Sequence, residues 1–212
     1  GNAAITASGI ATLSTSTLSV ANHVLYARYS GDANGYPASS SPTLTQTINK
    51  AFTSTTLAPS PNPSVSGQSV TLTATVAAVV PGSGTPSGTV TFKDGASTLG
   101  TGTLGSGTAT FSTSALSAGS HSLTAVYAGN TSFATSTSGA QAQVVGWTIT
   151  ASAGANGAIS PSGSSITANA GTQSFTLTPN ACYSVAGVLV DGVSVGAVSS
   201  YTFTNVTAGH TI

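Results

Sequence analysis

Apolar and polar residues alternate with a period of two in several short stretches of this chain. The clearest stretch is "SVTLTATVAA" (69–78), whose apolar positions on one face are Val70, Leu72, Ala74 and Val76. Such alternation is typical of a strand with one buried face. Thr and Val dominate these stretches and suit a pleated surface, while Gly and Ser supply turns between them. The pattern predicts an all-β fold without substantial helix.

Turn signals separate the predicted strands at the spacing of a β-sandwich. Asp94-Gly95 predicts a hairpin turn within "GTVTFKDGASTLG" (88–100). The proline-rich "APSPNPSVSG" (58–67) predicts a first strand at a sheet edge. The remaining predicted strands are "GTATFSTSAL" (107–116), "HSLTAVYAG" (121–129) and, as a last edge, "SGAQAQVV" (138–145).

An internal repeat organises the first two thirds of the chain. The segment "ATLSTSTLSVANHVLYARYSGDAN" (11–34) aligns without a gap with "ATFSTSALSAGSHSLTAVYAGNTS" (109–132). The alignment pairs His23 with His121 and Tyr29 with Tyr127, and one inserted residue then brings Tyr36 onto Phe133 and Ile48 onto Val145. Self-similarity on this scale predicts two copies of one domain type in series.

Two resemblances to known families follow from these motifs. The segments "TTLAPSPNPSVSGQSVTLTATV", "PSGTVTFKDGASTLGTGTL" and "LSAGSHSLTAVYAGNTSFATSTS" resemble the bacterial immunoglobulin-like repeat, which occurs in tandem in large secreted and surface proteins. The later pieces "GAISPSG", "SFTLTPNACYSVAGVLVDGVSVG" and "YTFTNVTAGHTI" resemble a divergent internalin-type repeat, a small all-β module.

These resemblances imply tandem immunoglobulin-like β-sandwiches followed by a small all-β repeat module. Residues 1–50 are expected to be the C-terminal half of one immunoglobulin-like repeat, because Gly1 aligns with Leu99. Residues 51–145 are expected to be a complete repeat. Residues 146–212 are expected to be an internalin-type module that lacks its last strand.

Composition limits the classes of function. Only 3% of the 212 residues are charged, the net charge is zero, and 39% are hydrophobic. Three basic residues do not make a nucleic-acid-binding patch, and no apolar run reaches the length of a membrane span. A surface with so little charge favours close association between copies. The formal sequons at Asn130 and Asn205 are interpreted as β-turn asparagines.

The motif Gly192-Val193-Ser194-Val195-Gly196 matches the G-x-S-x-G pattern of serine hydrolases. A nucleophile elbow requires a following helix, then an acid and a histidine in that order. "AVSSYTFTNV" after Ser194 predicts turn and strand instead, and only His210 follows, with no acid. Asp191-Gly192 is therefore interpreted as the turn of a β-hairpin.

No metal, cofactor or catalytic site is predicted. His23 and His121 hold equivalent positions before a strand and are interpreted as cap or turn residues. The only carboxylates, Asp32, Asp94 and Asp191, lie in three different modules. Asp32 is the best calcium ligand by type, but Asn130 replaces it in the second copy. Lys50 and Lys93 are not expected to form an isopeptide bond, because the chain has no Glu to catalyse it.

Four further side chains are interpreted as structural. Cys182 is the only cysteine, so it has no intrachain disulfide partner, and it is expected to be buried in an alternating strand. Tyr29 and Tyr127 are expected to pack in cores, since the aromatic residues are too dispersed to form a sugar-binding platform. Trp147 is expected to be an interdomain wedge.

The sequence therefore predicts a non-catalytic structural or adhesive segment of an exported bacterial surface protein. The first and last modules are expected to be incomplete, and the surface is almost uncharged. Both features favour the interpretation of this segment as the ordered part of an extracellular filament or sheath. Its expected partners are neighbouring copies or adjacent repeats of the same protein. The alternatives are a passive stalk of a large adhesin, an accessory module of a secreted enzyme and, as a further option, a carbohydrate-binding module.

Overall fold

Every regular element of the molecule is a β-strand. The computed structural model describes all of residues 1–212, and twenty strands form its sheets. This confirms the predicted all-β fold class. No helix of the length and apolarity needed to cross a membrane is present.

Residues 1–50 form two small antiparallel pairs of strands. These strands are β1 (Asn22–Leu25), β2 (Arg28–Tyr29), β3 (Ser39–Ser40) and β4 (Leu44–Thr47). β1 pairs with β4 and β2 pairs with β3. No residue of this segment is buried, so it contributes nothing to a hydrophobic core.

Residues 51–145 form a sandwich of two sheets. Its strands are β5 (Thr53–Ser60), β6 (Ser64–Val65), β7 (Val70–Ala78), β8 (Thr89–Asp94), β9 (Ser97–Thr103), β10 (Thr108–Thr113), β11 (Gly119–Tyr127), β12 (Ser136–Thr137) and β13 (Gln141–Ala151). One sheet has the order β10-β7-β5, and the other begins β9-β8-β11-β13. β5 lies at the edge of its sheet, as predicted from the proline-rich segment 58–67.

The core of the sandwich follows from the alternation along its strands. Val70, Leu72, Ala74 and Val76 of β7 are all buried on one face. The facing sheet contributes Phe92 from β8 and its own alternating residues, which gives one cluster of 15 buried residues. Burial of this apolar surface is the main driving force for the sandwich.

The strand β13 does not end at the predicted boundary. Its residues 141–145 pair with β11, and its residues 146–151 pair with the strand Gly163–Ala168 of the next module. Val145 belongs to the sandwich core and Ile149 to the C-terminal core. The prediction of a last edge strand at 138–145 is therefore wrong, because the alternation continues through Trp147 and Ile149 to Ala151.

The C-terminal part is a smaller β module. Its strands are β14 (Gly157–Ser160), β15 (Gly163–Ala168), β16 (Gly171–Pro179), β17 (Val188–Val190), β18 (Val193–Gly196), β19 (Ser200–Val206) and β20 (His210–Thr211). β14, β16 and β19 form one sheet, β17 and β18 form a hairpin, and β20 pairs in parallel with β13. The core holds six buried residues, including Ile149, Phe175 and Phe203.

The two aligned segments of the sequence have the same strand pairing. His23 pairs with Gln46 as His121 pairs with Gln143, and Arg28 pairs with Ser40 as Val126 pairs with Thr137. The two copies therefore share the pairing of these strands, although residues 10–15, the counterpart of β10, form no strand.

Candidate functional site

An aspartate at the tip of the β8–β9 hairpin binds the start of β11. The Nδ1 of His121 lies 2.6 Å from Oδ2 of Asp94, and the backbone N–H of Ser122 donates to Oδ1 of Asp94 at 3.1 Å. The backbone N–H of Gly95 completes the contact by donating to the Ser122 carbonyl. The predicted hairpin is confirmed, but its two-residue loop is Gly95-Ala96 rather than Asp94-Gly95, because Asp94 and Ser97 are its last pair.

The same arrangement occurs in the C-terminal module. The Nδ1 of His210 lies 2.7 Å from Oδ2 of Asp191, and the backbone N–H of Thr211 donates to Oδ1 of Asp191 at 2.8 Å. The backbone N–H of Asp191 donates in turn to the Thr211 carbonyl. We call each of these two arrangements an Asp–His clamp.

Each clamp fixes a hairpin tip to a strand of a neighbouring element. A carboxylate only accepts hydrogen bonds, so Nδ1 of each histidine carries a proton. In His121 the Nε2 atom also faces an acceptor, the Ser117 carbonyl at 2.8 Å. Both ring nitrogens of His121 donate when both contacts are made, which requires the imidazolium form. The clamp is then a charge-assisted pair, with His121 largely buried.

The surroundings of His121 favour its charged form. Burial alone would lower the pKa of His121, but the hydrogen bonds to the Ser117 carbonyl and the Asp94 carboxylate outweigh it. The pKa of His121 is therefore raised above 6.5.

The second clamp lowers the pKa of its aspartate. The hydrogen bond from His210, with that from the Thr211 backbone, lowers the pKa of Asp191 below 3.8. The His210 ring also lies 4.9 Å from the Phe203 ring, which connects this clamp to the C-terminal core.

Ser194 takes no part in the second clamp. It lies exposed in β18, and its Oγ accepts a hydrogen bond from the Gly196 backbone. No hydrogen bond joins Ser194 to His210, so the three side chains do not form a triad. Asp191 and Gly192 have φ angles of 50° and 80° and form the two-residue turn between β17 and β18. The hairpin interpretation is confirmed.

Sequence reasoning missed both clamps. It sought an acid after Ser194 in chain order, and it assigned the three aspartates to separate sites. A usable signal was present, because an Asp-Gly turn precedes a His-Ser or His-Thr pair in both modules: Asp94-Gly95 with His121-Ser122, and Asp191-Gly192 with His210-Thr211.

The third aspartate caps a loop. Oδ1 of Asp32 accepts hydrogen bonds from the backbone N–H groups of Asn34 and Tyr36. Oδ1 of Asn130 accepts from Ser132 and Phe133 in the equivalent loop. An amide oxygen and a carboxylate oxygen both accept hydrogen bonds from backbone N–H groups here. Asn130 therefore keeps the loop conformation that Asp32 stabilises in the first copy. All three carboxylates of the chain thus bind protein N–H groups, and no three His, Cys, Asp or Glu side chains gather as a metal site would require.

Aromatic side chains at the predicted core positions differ in burial. Tyr127 is fully buried, and its hydroxyl donates to the Ser87 carbonyl at 2.8 Å. Tyr29 is only partly buried. Trp147 packs against the C-terminal core alone and donates through Nε1 to Asn169, so its predicted role as a wedge between the modules is wrong.

Two other predictions of local environment are wrong. Cys182 is exposed rather than buried, because it lies in a turn after β16 with a φ of 69° rather than in a strand. Asn205 lies in a bulge of β19 with positive φ rather than in a β-turn. Asn130 lies in the loop after β11, and its Nδ2 donates to the Ser87 carbonyl.

The C-terminal module also carries an open groove of about 390 Å³. Its lining comes from residues 152–159, 177–179 and 184–189 with Ile212, and includes no aromatic and no charged side chain. Sugar-binding surfaces use exposed aromatic rings to stack on the ligand, so this groove does not favour carbohydrate recognition.

A family model matches the residues of this sandwich. Residues 56–146 match the family model of the bacterial Ig-like domain (group 3). A similar solved structure is that of the fibronectin(III)-like modules of CbhA from Clostridium thermocellum, 22% identical, with a TM-score of 0.34 and coverage of 43% of this chain and 93% of that chain. No curated protein matches the chain. The family match and the two facing sheets support an Ig-like domain at residues 56–146.

Proposed function

We propose that this chain is a non-catalytic structural and adhesive segment of an exported bacterial surface protein. In this proposal it forms the ordered part of an extracellular filament or sheath subunit. Residues 1–50 and 51–145 act as successive Ig-like repeats, and residues 146–212 act as an internalin-type module. The observation that carries the structural role is the shared strand β13.

β13 joins two cores as one uninterrupted strand. Its first half pairs with β11 and its second half with β15, without an intervening loop. Val65 of β6 pairs with Gly146, so the sandwich also contacts the junction itself. Bending at this point would break the pairing of β6 with Val145 and Gly146. A segment built in this way keeps its direction and transmits load, which suits a spacer or filament.

The surface supports association between copies. Large apolar side chains are exposed singly or in small groups, including Phe52 at 75% and Val80 at 85% exposure. These two residues are close together, because the Val79 backbone N–H donates to the Phe52 carbonyl. With only six charged side chains and no net charge, little electrostatic repulsion opposes contact between copies.

Self-association is tested on the purified chain by multi-angle light scattering over a range of concentrations, with negative-stain microscopy of the same samples. We expect the mass to rise with concentration and linear assemblies to appear. The double variant Phe52→Lys with Val80→Lys should shift association to higher concentration.

A matched variant separates apolar contact from the effect of added charge. Thr101→Lys with Thr110→Lys adds the same charge at exposed polar positions, and should weaken association less. A chain that stays monomeric at every concentration would overturn the filament proposal and leave a passive stalk.

A further inference from the structure

The central sandwich joins an early strand to its last strand through a parallel pair. Ser64 and Val65 of β6 lie opposite Val145 and Gly146 of β13, and the two strands run in the same direction. Every other strand pair within the sandwich is antiparallel. The strand through which the chain leaves the sandwich is therefore held in parallel by a strand near the start of the same sandwich.

The parallel direction decides how tension along the chain acts on this pair. The chain reaches β6 from β5 and leaves the sandwich along β13. Tension therefore pulls the two strands in opposite directions along their common axis. Hydrogen bonds of a parallel pair are evenly spaced, so they are loaded together in shear. In an antiparallel pair with both pulled ends on one side, the bonds would break one after another.

Side chain and backbone groups on either side of the pair add hydrogen bonds across the same contact. Asn62 Nδ2 donates to the Ala142 carbonyl at 2.7 Å, and Asn62 Oδ1 accepts from the Val144 backbone N–H at 3.1 Å. The Ser66 backbone N–H donates to the Gly146 carbonyl at 2.9 Å. The contact is thus longer than the two residues of β6.

Gln143 closes this contact from the inside. Its side chain is fully buried, and its Nε2 donates to the Pro61 carbonyl and to the fully buried Ser64 Oγ, each at 3.1 Å. Hydrogen bonds in such surroundings are strong, because the local dielectric constant is low. We call residues 61–66 together with residues 142–146 the terminal-strand contact.

β13 also fixes the direction in which tension leaves the sandwich. It continues beyond Val145 as a strand, and residues 146–151 pair with β15 of the next module. Gly146 itself pairs with both β6 and β15. Tension that leaves along β13 therefore follows the axis of the terminal-strand contact, because no loop separates the contact from the next module.

We propose that the terminal-strand contact is the force-bearing site of the central sandwich and sets the rate at which the sandwich unfolds under tension. Strands β7 to β12 lie between β6 and β13 in the chain, so tension reaches them only after this contact breaks. The core and its other strand pairs are still intact at that moment.

This role rests on the proposed structural function, because only a segment held at both ends carries tension. The two fail separately. Light scattering tests association between copies, whereas resistance to force is measured on a single molecule.

The test is single-molecule force spectroscopy at constant force on the full chain, held between folded marker domains at its two ends. Unfolding of the sandwich is identified by the added length, roughly 300 Å for residues 53–145. Asn62→Ala removes both hydrogen bonds of an exposed side chain and leaves the core residues unchanged. It should raise the unfolding rate about 10-fold, the effect of about 1.4 kcal/mol of bonding lost before the transition state.

Phe111→Ala is the matched control. Phe111 lies in β10, outside the terminal-strand contact, and its ring stacks on that of Phe92 with the centroids 5.9 Å apart. Its loss should lower the denaturation midpoint more than Asn62→Ala does. It should nevertheless raise the unfolding rate under force less, because β10 is still packed when the contact breaks.

Two results would overturn this assignment. One is an Asn62→Ala variant that unfolds under force at the rate of the original chain, which would place the resistance elsewhere, such as between β5 and β7. The other is that the two variants rank in the same order under force as in denaturant, since the contact would then contribute only to general stability.

Discussion

At the scale of single residues, the three aspartates of this molecule bind other groups of the same chain. Asp94 and Asp191 fix hairpin tips in the two clamps, and Asp32 caps a loop. These three aspartates are the only acidic side chains of the chain, which has no glutamate.

The Asp94 clamp should make the stability of the sandwich depend on pH. The pKa of His121 is raised in the folded state, so its protonation contributes stability that is fully present below about pH 6.5 and is lost as pH rises through the folded pKa. We expect the free energy of unfolding to fall between about pH 6 and pH 8. Asp94→Asn should lower it by about 1–2 kcal/mol at the acidic end and flatten the profile.

Chemical denaturation of the central sandwich at several pH values measures this effect. Asp32→Asn is the matched control, because Asn130 fills the equivalent position. It removes one carboxylate but should leave the pH profile unchanged. A profile that stays flat in the unmodified chain would exclude the charged clamp.

Cys182 should react in the native state. Its exposed position in a turn leaves the thiol open to solvent, so a thiol reagent should modify one group per chain without denaturant. The reaction with the folded chain should proceed at a rate comparable to that in denaturant. A thiol that reacts only after unfolding would contradict this exposed position and would agree with the burial predicted from the sequence.

Residue environments were predictable where alternation is strong and a core is large. Val70, Leu72 and Ala74 are buried as predicted because a regular strand fixes which face each side chain takes. Cys182 was misplaced because the apparent alternation around it falls in a loop, where positive φ breaks the period of two.

At the scale of elements, β13 determines how the modules are joined. The sequence comparison divided the chain at residue 145, yet buried or partly buried residues continue at alternate positions as Gln143, Val145, Trp147 and Ile149. Family resemblance defined a domain boundary, whereas the hydrophobic pattern already indicated one strand. The strand pairings of β7, β8 and β11 agree with the pattern because no boundary interrupts them.

Gly146 at the junction should not tolerate a larger residue. A Cβ at this position would overlap the Thr167 carbonyl oxygen in the adjacent strand β15. We expect Gly146→Val to lower the free energy of unfolding of the C-terminal module by about 1–3 kcal/mol. Gly139→Val is the control, since open space surrounds that glycine. Equal denaturation midpoints for the two variants would contradict this account of the junction.

At the scale of the whole molecule, two hydrophobic cores lie on one continuous sheet. β9, β8, β11, β13 and β15 follow one another in that sheet, with β20 paired to the same β13. The Asp94–His121 clamp fixes the β8–β9 hairpin to β11. The Asp191–His210 clamp fixes the β17–β18 hairpin to β20. A rigid connection between the two cores is the central claim of the structural role proposed above.

Residual dipolar couplings of backbone N–H groups in the full chain test this connection most directly. The couplings of β5 to β12 and those of β14 to β20 should fit one alignment tensor of common orientation and magnitude. The Gly146→Val variant should separate the two sets. Two different tensors in the unmodified chain would show that the modules reorient independently, and would contradict the claim that β13 makes them one rigid body.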